Sequence, residues 1–518
     1  MKTLSYDILK DKILGCWNGK NVGGVLGGPF EECERTVHDV TFYTQDIDGN
    51  PPANDDLDLQ LVWLNAVEQY GSKVDAHILA DYWMSYIVPN WDEYGAGKRN
   101  LRAGMAPPLS GTVSNPYKDS NGSFIRTELW ACLAPGHPEI AVRYAYEDSI
   151  VDHADEGVYA TVFCAAVQSA AFVTDDTYEL IDIGLSYIPE DSLTAGAVKN
   201  AIASYKSGVD YLKARENLFK EYPSTFGLNC VNPNDLTDGL PNGKPGLETP
   251  NAIGIIVIGW LYGEGDFEKS LCIAVNCGED TDCTAATLGA IFGIIKGNKA
   301  LPEKWLAPLN GVINTCCIDL ASTIPIPKSV EELSNRVIKA IPRFIESRYY
   351  SIESEGVSVT TAERLENPED YDYMPHISAH KKSQRIPLRD LVSMSPYCVR
   401  YDLGTLGAMI DYNGEPFIQK GETKTIKLLL WDNNKFTIPG QWADVRIYTD
   451  SGITIEGGNY LSGPMNSTYL TKTEFSITFT AEEISLPKMN IIFDISLNGR
   501  QSGRPLKATF FAGHYNIV

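Results

Sequence analysis

Two aspartates lie one residue apart just before a stretch of small residues, and this arrangement is typical of a metal site. Asp280 and Asp282 belong to the run Gly-Glu-Asp-Thr-Asp-Cys, which leads into a nearly uncharged segment with helical periodicity. A buried carboxylate must be paired, hydrogen-bonded or bound to a cation. The sequence therefore predicts that both aspartates bind a divalent cation, whereas neighbouring Glu279 is expected to be a surface or loop acid.

A second acidic doublet, Asp55 and Asp56, opens another apolar-periodic stretch and follows Asn54. Asparagine and aspartate are favoured at helix starts because they satisfy free amides and complement the helix dipole, so capping would account for this doublet by itself. Hard cations such as Mg²⁺ also prefer carboxylate and amide oxygens. Together with Asp280 and Asp282, the doublet predicts a carboxylate-lined dinuclear site and a helix that starts near Leu57.

The first helical stretch is rich in glycine and ends in Pro-Phe-Glu. Gly15, Gly19 and Gly23 recur every four residues, which places them on one helix face and predicts close approach of a second helix. The stretch lacks the Gly-Lys-Ser/Thr ending of a phosphate-binding P-loop. Taken by itself, its last residue, Glu31, would be an ordinary loop acid.

The periodicity of apolar residues changes along the chain and predicts a multidomain α + β fold. Residues 1–348 are mostly helical in pattern and form a predicted all-α domain. Residues 349–385 are polar and charged and are predicted to form a linker or strap. Residues 386–518 alternate with a period of two between turn signals, which predicts an antiparallel β-sandwich of six to eight strands as an accessory domain.

Composition excludes several classes of protein. A net charge of -24 over 518 residues opposes nucleic-acid binding, which needs basic residues to displace counterions. The chain has no apolar run of about 18 residues and no signal peptide at its start, so we expect no membrane partner and a cytoplasmic location. Its 11 cysteines contain no Cys-x-x-Cys pair, which argues against both a disulfide framework and a thiolate zinc site.

Five motifs, in order, resemble those of the ADP-ribosylglycohydrolase family over about residues 8–309. They are the glycine-rich helix that ends at Glu31, the Asp55-Asp56 doublet, the loop 121–126 (Asn-Gly-Ser-Phe-Ile-Arg), His153 and the late Asp280-Thr-Asp282 segment. Their joint occurrence is far more specific than any one of them. The resemblance implies an all-α domain with two Mg²⁺ ions in a cleft.

The resemblance also implies roles for individual residues. Catalytic roles fall to Glu31, Asp56 and Asp282, with Glu31 orienting water or substrate. Gly122, Ser123 and Phe124 would line the pocket for the phosphate end of the ribosyl group, with His153 beside it; without the resemblance, His153 would be read as a structural histidine. The implied metal ligands are Asn54, Asp55, Asp56, Asp280, Asp282 and Cys283.

Four positions depart from the family's usual pattern. Asn54 and Cys283 stand where the family has Thr or Ser, Leu57 replaces a Thr, and Gly24 replaces an Asp of the first helix. An amide oxygen can replace a hydroxyl as a ligand, but a thiol is a soft donor that suits Mg²⁺ poorly. The departures leave Mn²⁺ or a single ion as alternatives to two Mg²⁺ ions.

These features predict a hydrolase that uses a metal-positioned water to cleave a glycosidic bond of a small-molecule or glycosylated substrate. The resemblance to the family implies an ADP-ribosyl or related ribosyl substrate. Two alternatives stay open. The chain would act on a nucleoside or another glycoside, or it would be a catalytically weak homologue that binds its ligand.

Overall fold

The chain divides into two compact units. The first comprises Met1–Lys98 and Pro116–Pro368, and the second Arg99–Asn115 and Glu369–Val518. The computed structural model describes residues 1–31, 37–223, 246–319, 323–367, 386–404, 406–432, 441–465, 473–497, 500–501 and 504–513. The later part of the predicted linker, residues 368–385, lies outside these residues. The predicted domain boundaries stay a prediction.

The first unit is built from helices, as the apolar periodicity predicts. Its described helices are α1 (Tyr6–Gly27), α2 (Asp55–Tyr70), α3 (Ala76–Tyr86), α4 (Asp92–Ala103), α6 (Glu128–Leu133), α7 (Pro138–Ser149), α8 (Asp155–Ala170), α9 (Thr177–Leu185), α10 (Leu193–Lys206), α11 (Tyr211–Glu221), α12 (Thr249–Gly263), α13 (Phe267–Asn276), α14 (Thr281–Lys296), α15 (Glu303–Leu306) and α16 (Val330–Ala340). The last residues of α4 belong to the second unit. Among the described helices, none combines the length and apolar composition that a bilayer span requires.

Helices α1 and α14 pack in antiparallel contact through their glycines. A Cβ built on Gly19 would lie 2.0 Å from the carbonyl oxygen of Gly289, and a Cβ on Gly15 would lie 2.2 Å from that of Gly293. Real Cβ atoms do not come this close, so only glycine allows the two backbones to touch. The four-residue glycine spacing therefore fixes where α14 lies along α1.

A small antiparallel sheet joins the start of the first unit to residues 350–360. Its strands are β1 (Thr3–Leu4), β2 (Tyr350–Ile352) and β3 (Val357–Thr360), and β3 lies in the middle. Part of the predicted linker is therefore paired with the first residues of the chain.

The second unit is a β-sandwich. One sheet has the strand order β4-β5-β7-β11-β9, and the other has the order β10-β8-β12-β14-β6 with β13 paired to β12. Its elements are α5 (Leu109–Thr112), α17 (Leu388–Val392), β4 (Cys398–Asp402), β5 (Leu406–Asp411), β6 (Phe417–Ile418), β7 (Thr423–Asp432), β8 (Gln441–Thr449), β9 (Ile453–Ile455), β10 (Tyr460–Met465), β11 (Thr473–Ala481), β12 (Lys488–Leu497), β13 (Arg500–Gln501) and β14 (Leu506–Ala512).

Alternate residues of the strands form the core between the two sheets. Ile491, Phe493 and Ile495 of β12 are buried, as a period of two requires, and the rings of Phe479 and Phe510 meet across the sandwich at 4.9 Å. The predicted fold class is confirmed. The predicted number of strands is too low, because the described residues of this unit form one sheet of five strands and one of six. The pair β6–β14 is parallel, whereas an antiparallel sandwich was predicted.

Candidate metal centre

Helices α2 and α14 each begin at a residue whose side chain caps the helix. Asn54 accepts a hydrogen bond from the amide of Asp56 at 2.8 Å, and Asp280 accepts one from the amide of Cys283 at 3.4 Å. Such caps satisfy amides that have no partner within the helix. Both predicted helix starts are present, and α2 begins at Asp55, two residues before the predicted Leu57.

The starts of these two helices contact each other directly. Asn54 Nδ2 donates to Asp282 Oδ2 at 3.0 Å, and Cys283 Sγ donates to Asp56 Oδ1 at 3.3 Å. Two segments far apart in sequence therefore bring their acidic side chains into one cluster, which also contains Asp280. The structure places Asn54, Asp56, Asp280, Asp282 and Cys283 together, and Asp55 lies close enough for its charge to raise the pKa of Asp56 and Asp282.

A third segment joins this cluster through Asn121. This residue begins a short 3-10 helix, Asn121–Arg126, and its Nδ2 donates to Asp280 Oδ2 at 2.9 Å. Sequence reasoning assigned no role to Asn121, although it is the first residue of the Asn-Gly loop that was singled out. Its signal in the sequence was an amide side chain beside a glycine in that loop; its burial, and with it the need for a polar partner, appears only in the structure.

The carboxyl groups of the cluster are buried, and their pKa values rise. Burial raises the pKa of Asp280 to about 7, and the charge of Glu31 adds to the increase. Burial also raises the pKa of Asp282 and Asp56 well above the usual range, and the neighbouring aspartates raise both further. Without a cation, several negative charges in one buried place are unfavourable.

The donor set fits a hard divalent cation. Asp56 Oδ2 is buried and accepts no hydrogen bond from the described residues. The other candidate ligand atoms, apart from the Cys283 sulfur, are oxygens of aspartates and an asparagine, which hard cations prefer. Cys283 is less suited, because burial first and then the nearby aspartates raise the pKa of its thiol well above the usual range. A protonated thiol donates to Asp56 and is a poor Mg²⁺ ligand. The assignment of Cys283 as a ligand stays a prediction.

A buried lysine, which sequence reasoning missed, lies next to the aspartates. Lys20 of α1 is 1% exposed, and its Nζ lies 3.3 Å from Glu128 Oε2 and 4.0 Å from Asp56 Oδ2. Burial lowers the pKa of this ammonium, but Glu128 and Asp56 outweigh burial and the net pKa is raised. The two neighbouring carboxylates therefore favour the charged form of Lys20. Its signal in the sequence was a single cation between Gly19 and Gly23.

Glu128 is held from two sides. Gln60 Nε2 and Gln168 Nε2 each donate to one of its carboxylate oxygens at 2.8 Å. With Lys20, these amides satisfy a buried carboxylate, which would otherwise be costly.

Two of the departures from the family pattern face each other. A Cβ at Gly24 would lie 3.0 Å from Asn54 Nδ2, so the absence of a side chain at position 24 leaves room for the asparagine amide. A small cleft opens beside these residues. It is lined by Lys20, Asn21, Gly24, Val25, Pro51, Pro52, Asn54, Asp56, Leu57, Val312, Ile313 and Asn314.

The predicted substrate-binding residues 122–124 are buried and make internal contacts. The carbonyl of Gly122 accepts from Arg126 Nη1 at 2.7 Å, and Ser123 Oγ donates to the carbonyl of Gly157 at 3.0 Å. The ring of Phe124 is fully buried. These contacts hold the loop in shape next to Asn121. The predicted role of the three residues towards a substrate stays a prediction.

His153 is also buried, behind the same loop. Its Nε2 lies 3.0 Å from Ser120 Oγ, and its Nδ1 lies 3.1 Å from Asp152 Oδ1. Burial lowers the pKa of His153, although Asp152 acts in the opposite direction. Asp152 also binds Arg126, so His153 belongs to the ion-pair network that supports residues 121–126.

The two glutamates near the late motif behave differently. Glu31 is exposed at the end of the first glycine-rich segment, close enough to Asp280 for its charge to affect the pKa of that residue. Glu279 was expected to be a surface or loop acid; it lies in the loop that precedes α14, but it is not at the surface. It is 5% exposed and paired with Arg215 at 3.1 Å, a partner that the local sequence did not show.

The fold and the site together define a helical domain with an acidic centre at the meeting point of two helix starts. The chain belongs to the ADP-ribosylglycohydrolase family, whose sequence model matches residues 5–341. Among solved structures, the chain is similar to a protein titled "ADP-ribosylglycohydrolase-related protein complex", with 19% identity, a TM-score of 0.44, and coverage of 65% of this chain and 100% of that chain. No curated protein matches the sequence.

Proposed function

We propose that this protein is a metal-dependent glycohydrolase that cleaves the bond at the anomeric carbon of an ADP-ribosyl or related ribosyl group. The observation that carries the proposal is the meeting of Asp56, Asp280 and Asp282 in one buried cluster, through the contacts of Asn54, Asn121 and Cys283. The membership of the chain in a family of glycohydrolases supports the reaction class.

The residues that would hold Mg²⁺ are Asp55, Asp56, Asp280 and Asp282, with Asn54 beside them. A bound divalent cation supplies Lewis-acid polarisation and lowers the pKa of a bound water. The two asparagine amides orient Asp282 and Asp280, and each of these carboxylate oxygens keeps a second lone pair for another partner.

Glu31 is the proposed general base. It is exposed next to Asp280, where its carboxylate has access to water and to an entering substrate. A positioned general base contributes about 10² to 10⁴ in rate. The carboxylates around it favour a transition state with positive charge on the sugar ring.

Two alternatives to an ADP-ribosyl substrate rest on specific observations. The net charge of -24 disfavours a pyrophosphate-containing substrate and favours a nucleoside or another glycoside. The hydrogen bond from the Cys283 thiol to Asp56, together with Lys20, would reduce cation binding and favour a homologue that binds its ligand without efficient turnover.

The test is a calorimetric titration of ADP-ribose into the protein with Mg²⁺ and then with Mn²⁺, followed by assays for release of ADP-ribose, nucleobases and simple sugars. The matched variant is Asp282→Asn, which keeps the shape of the side chain. We expect metal-dependent binding and turnover that are both lost in this variant. Turnover that survives in Asp282→Asn would contradict the proposal, and binding without turnover would support the ligand-binding alternative.

A further inference from the structure

Two adjacent cysteines lie against a buried aspartate, one helical turn beyond the aspartate doublet. Cys316 Sγ and Cys317 Sγ are 3.7 Å apart, and the two sulfurs and a carboxylate oxygen of Asp58 all lie within 4.8 Å of one another. Cys316 is exposed and Cys317 is buried. The sulfur separation exceeds the roughly 2.05 Å of a disulfide, so both thiols are free.

Asp58 is held in a fixed orientation by the same segment. Its Oδ2 accepts hydrogen bonds from the backbone amides of Cys316 and Cys317, each at 2.6 Å. The other oxygen, Oδ1, is buried and accepts no hydrogen bond from the described residues. A carboxylate that is oriented through one oxygen and free at the other is the arrangement expected of a metal ligand with a supporting hydrogen-bond shell.

The backbone around the cysteines is anchored as well. Val88 N–H donates to the carbonyl of Cys317 at 2.9 Å, and Asp319 N–H donates to the carbonyl of Tyr86 at 2.9 Å. These bonds tie the segment to the end of α3, so the positions of both thiols are set by the fold and not by a ligand.

We infer that Asp58, Cys316 and Cys317 form a site for a thiophilic divalent cation such as Zn²⁺ or Cd²⁺. This site is separate from the aspartate centre formed by Asp56, Asp280 and Asp282. Two thiolates on a tetrahedral Zn²⁺, with Zn–S bonds of about 2.3 Å, are about 3.8 Å apart, and the observed separation is close to this value. Asp58 supplies a third ligand, and the exposed side of Cys316 leaves the fourth position to water. The adjacent cysteines escape the usual search for Cys-x-x-Cys spacing.

Cadmium titration of the full-length protein tests this site. The aspartate centre is first saturated with Mg²⁺, Cd²⁺ is added under a thiol-free reductant, and the ultraviolet absorption of cadmium–thiolate bonds is recorded. We expect one Cd²⁺ per chain. Cys316→Ser removes the exposed thiol without disturbing the core and should weaken Cd²⁺ binding more than about tenfold, with an unchanged thermal melting temperature. Cys317→Ser should weaken Cd²⁺ binding as much, and because it replaces a buried thiol with a hydroxyl it should also lower the melting temperature.

Two control variants separate this site from other thiols. Cys272→Ser removes a half-buried cysteine of α13, and Cys283→Ser removes the thiol of the aspartate centre. The cadmium–thiolate signal should persist in both. The inference is overturned if wild-type protein gives no such signal, if Cys316→Ser binds Cd²⁺ as tightly as wild type, or if the signal disappears in Cys283→Ser.

Discussion

Asn54 Nδ2 donates to Asp282 Oδ2 at 3.0 Å, while Asn54 Oδ1 caps the amide of Asp56. One side-chain amide therefore serves both helix starts, because its oxygen fixes α2 and its nitrogen fixes the first turn of α14. The two acidic segments are positioned by protein contacts, independently of any cation.

Replacement of Asn54 should separate these two contacts. Asn54→Ala loses both, and the lost cap lowers the free energy of unfolding by about 0.5–2 kcal/mol, with a further loss from the missing hydrogen bond to Asp282 Oδ2. Asn54→Ser keeps a capping oxygen but cannot donate as an amide, so an intermediate stability is expected. Urea unfolding of the three proteins without metal measures this order. Equal stabilities would show that neither contact matters.

Lys20 should contribute strongly to stability because its ion pair with Glu128 is buried. Lys20→Met leaves Glu128 without its cation, and removal of one partner of a buried pair costs about 3–5 kcal/mol. The control is Lys269→Met, which breaks an exposed pair with Glu264 and should cost less than about 1 kcal/mol. Denaturant unfolding compares the two. Similar losses would contradict a buried charge pair at Lys20.

Gly19 should not tolerate a methyl group. In Gly19→Ala the added Cβ would overlap the carbonyl of Gly289, so α1 and α14 must separate, at a cost of about 1–3 kcal/mol or more. Gly28→Ala adds the same methyl group where nothing lies within 4 Å and should change stability by less than about 0.5 kcal/mol. Thermal melting of both variants provides the comparison, and a neutral Gly19→Ala would refute the close contact.

Glu93 should make stability depend on pH. Burial first, and then the charges of Asp152 and Asp92, raise the pKa of its carboxyl from 4.5 to about 8. Between these values the folded chain keeps a proton that the unfolded chain has lost, so stability falls as pH rises, by about 1.4 kcal/mol per pH unit.

Glu93→Gln has no proton to lose and should lack this contribution. The variant should therefore gain stability relative to wild type as pH is raised from 5 to 8, which urea unfolding at several pH values will show. Glu216→Gln, a change at a side chain that is 64% exposed, should leave the pH dependence unaltered. A parallel pH dependence of wild type and Glu93→Gln would contradict a protonated Glu93.

The sequence predicts the fold and the helix starts well because both depend on local patterns. Apolar residues with helical spacing, and then with a period of two, gave the α + β class, and the caps at Asn54 and Asp280 follow from side-chain chemistry. Strands β6 and β13 have two residues each and β9 has three, which is too short for a period to appear, and the sandwich therefore has more strands than predicted.

The missed parts of the site depend on partners that are distant in sequence. Lys20 is recognisable as a buried cation only when Glu128 and Asp56 are seen beside it, and the buried Glu279 has its ion-pair partner, Arg215, far away in the sequence. Asn121 gains its meaning from Asp280. A single sequence shows which side chains can make such contacts but not which of them meet.

The contact of α1 with α14 restricts how the length of this chain can change. An added residue inside an α-helix rotates all later residues by about 100°, since each turn contains about 3.6 residues. Such a change ahead of Gly23 would turn Gly23 and Gly27 away from α14. A change ahead of Lys20 would also turn its ammonium away from Glu128 and Asp56. Insertions and deletions are therefore expected in the connecting segments, and both helices should keep their residue count.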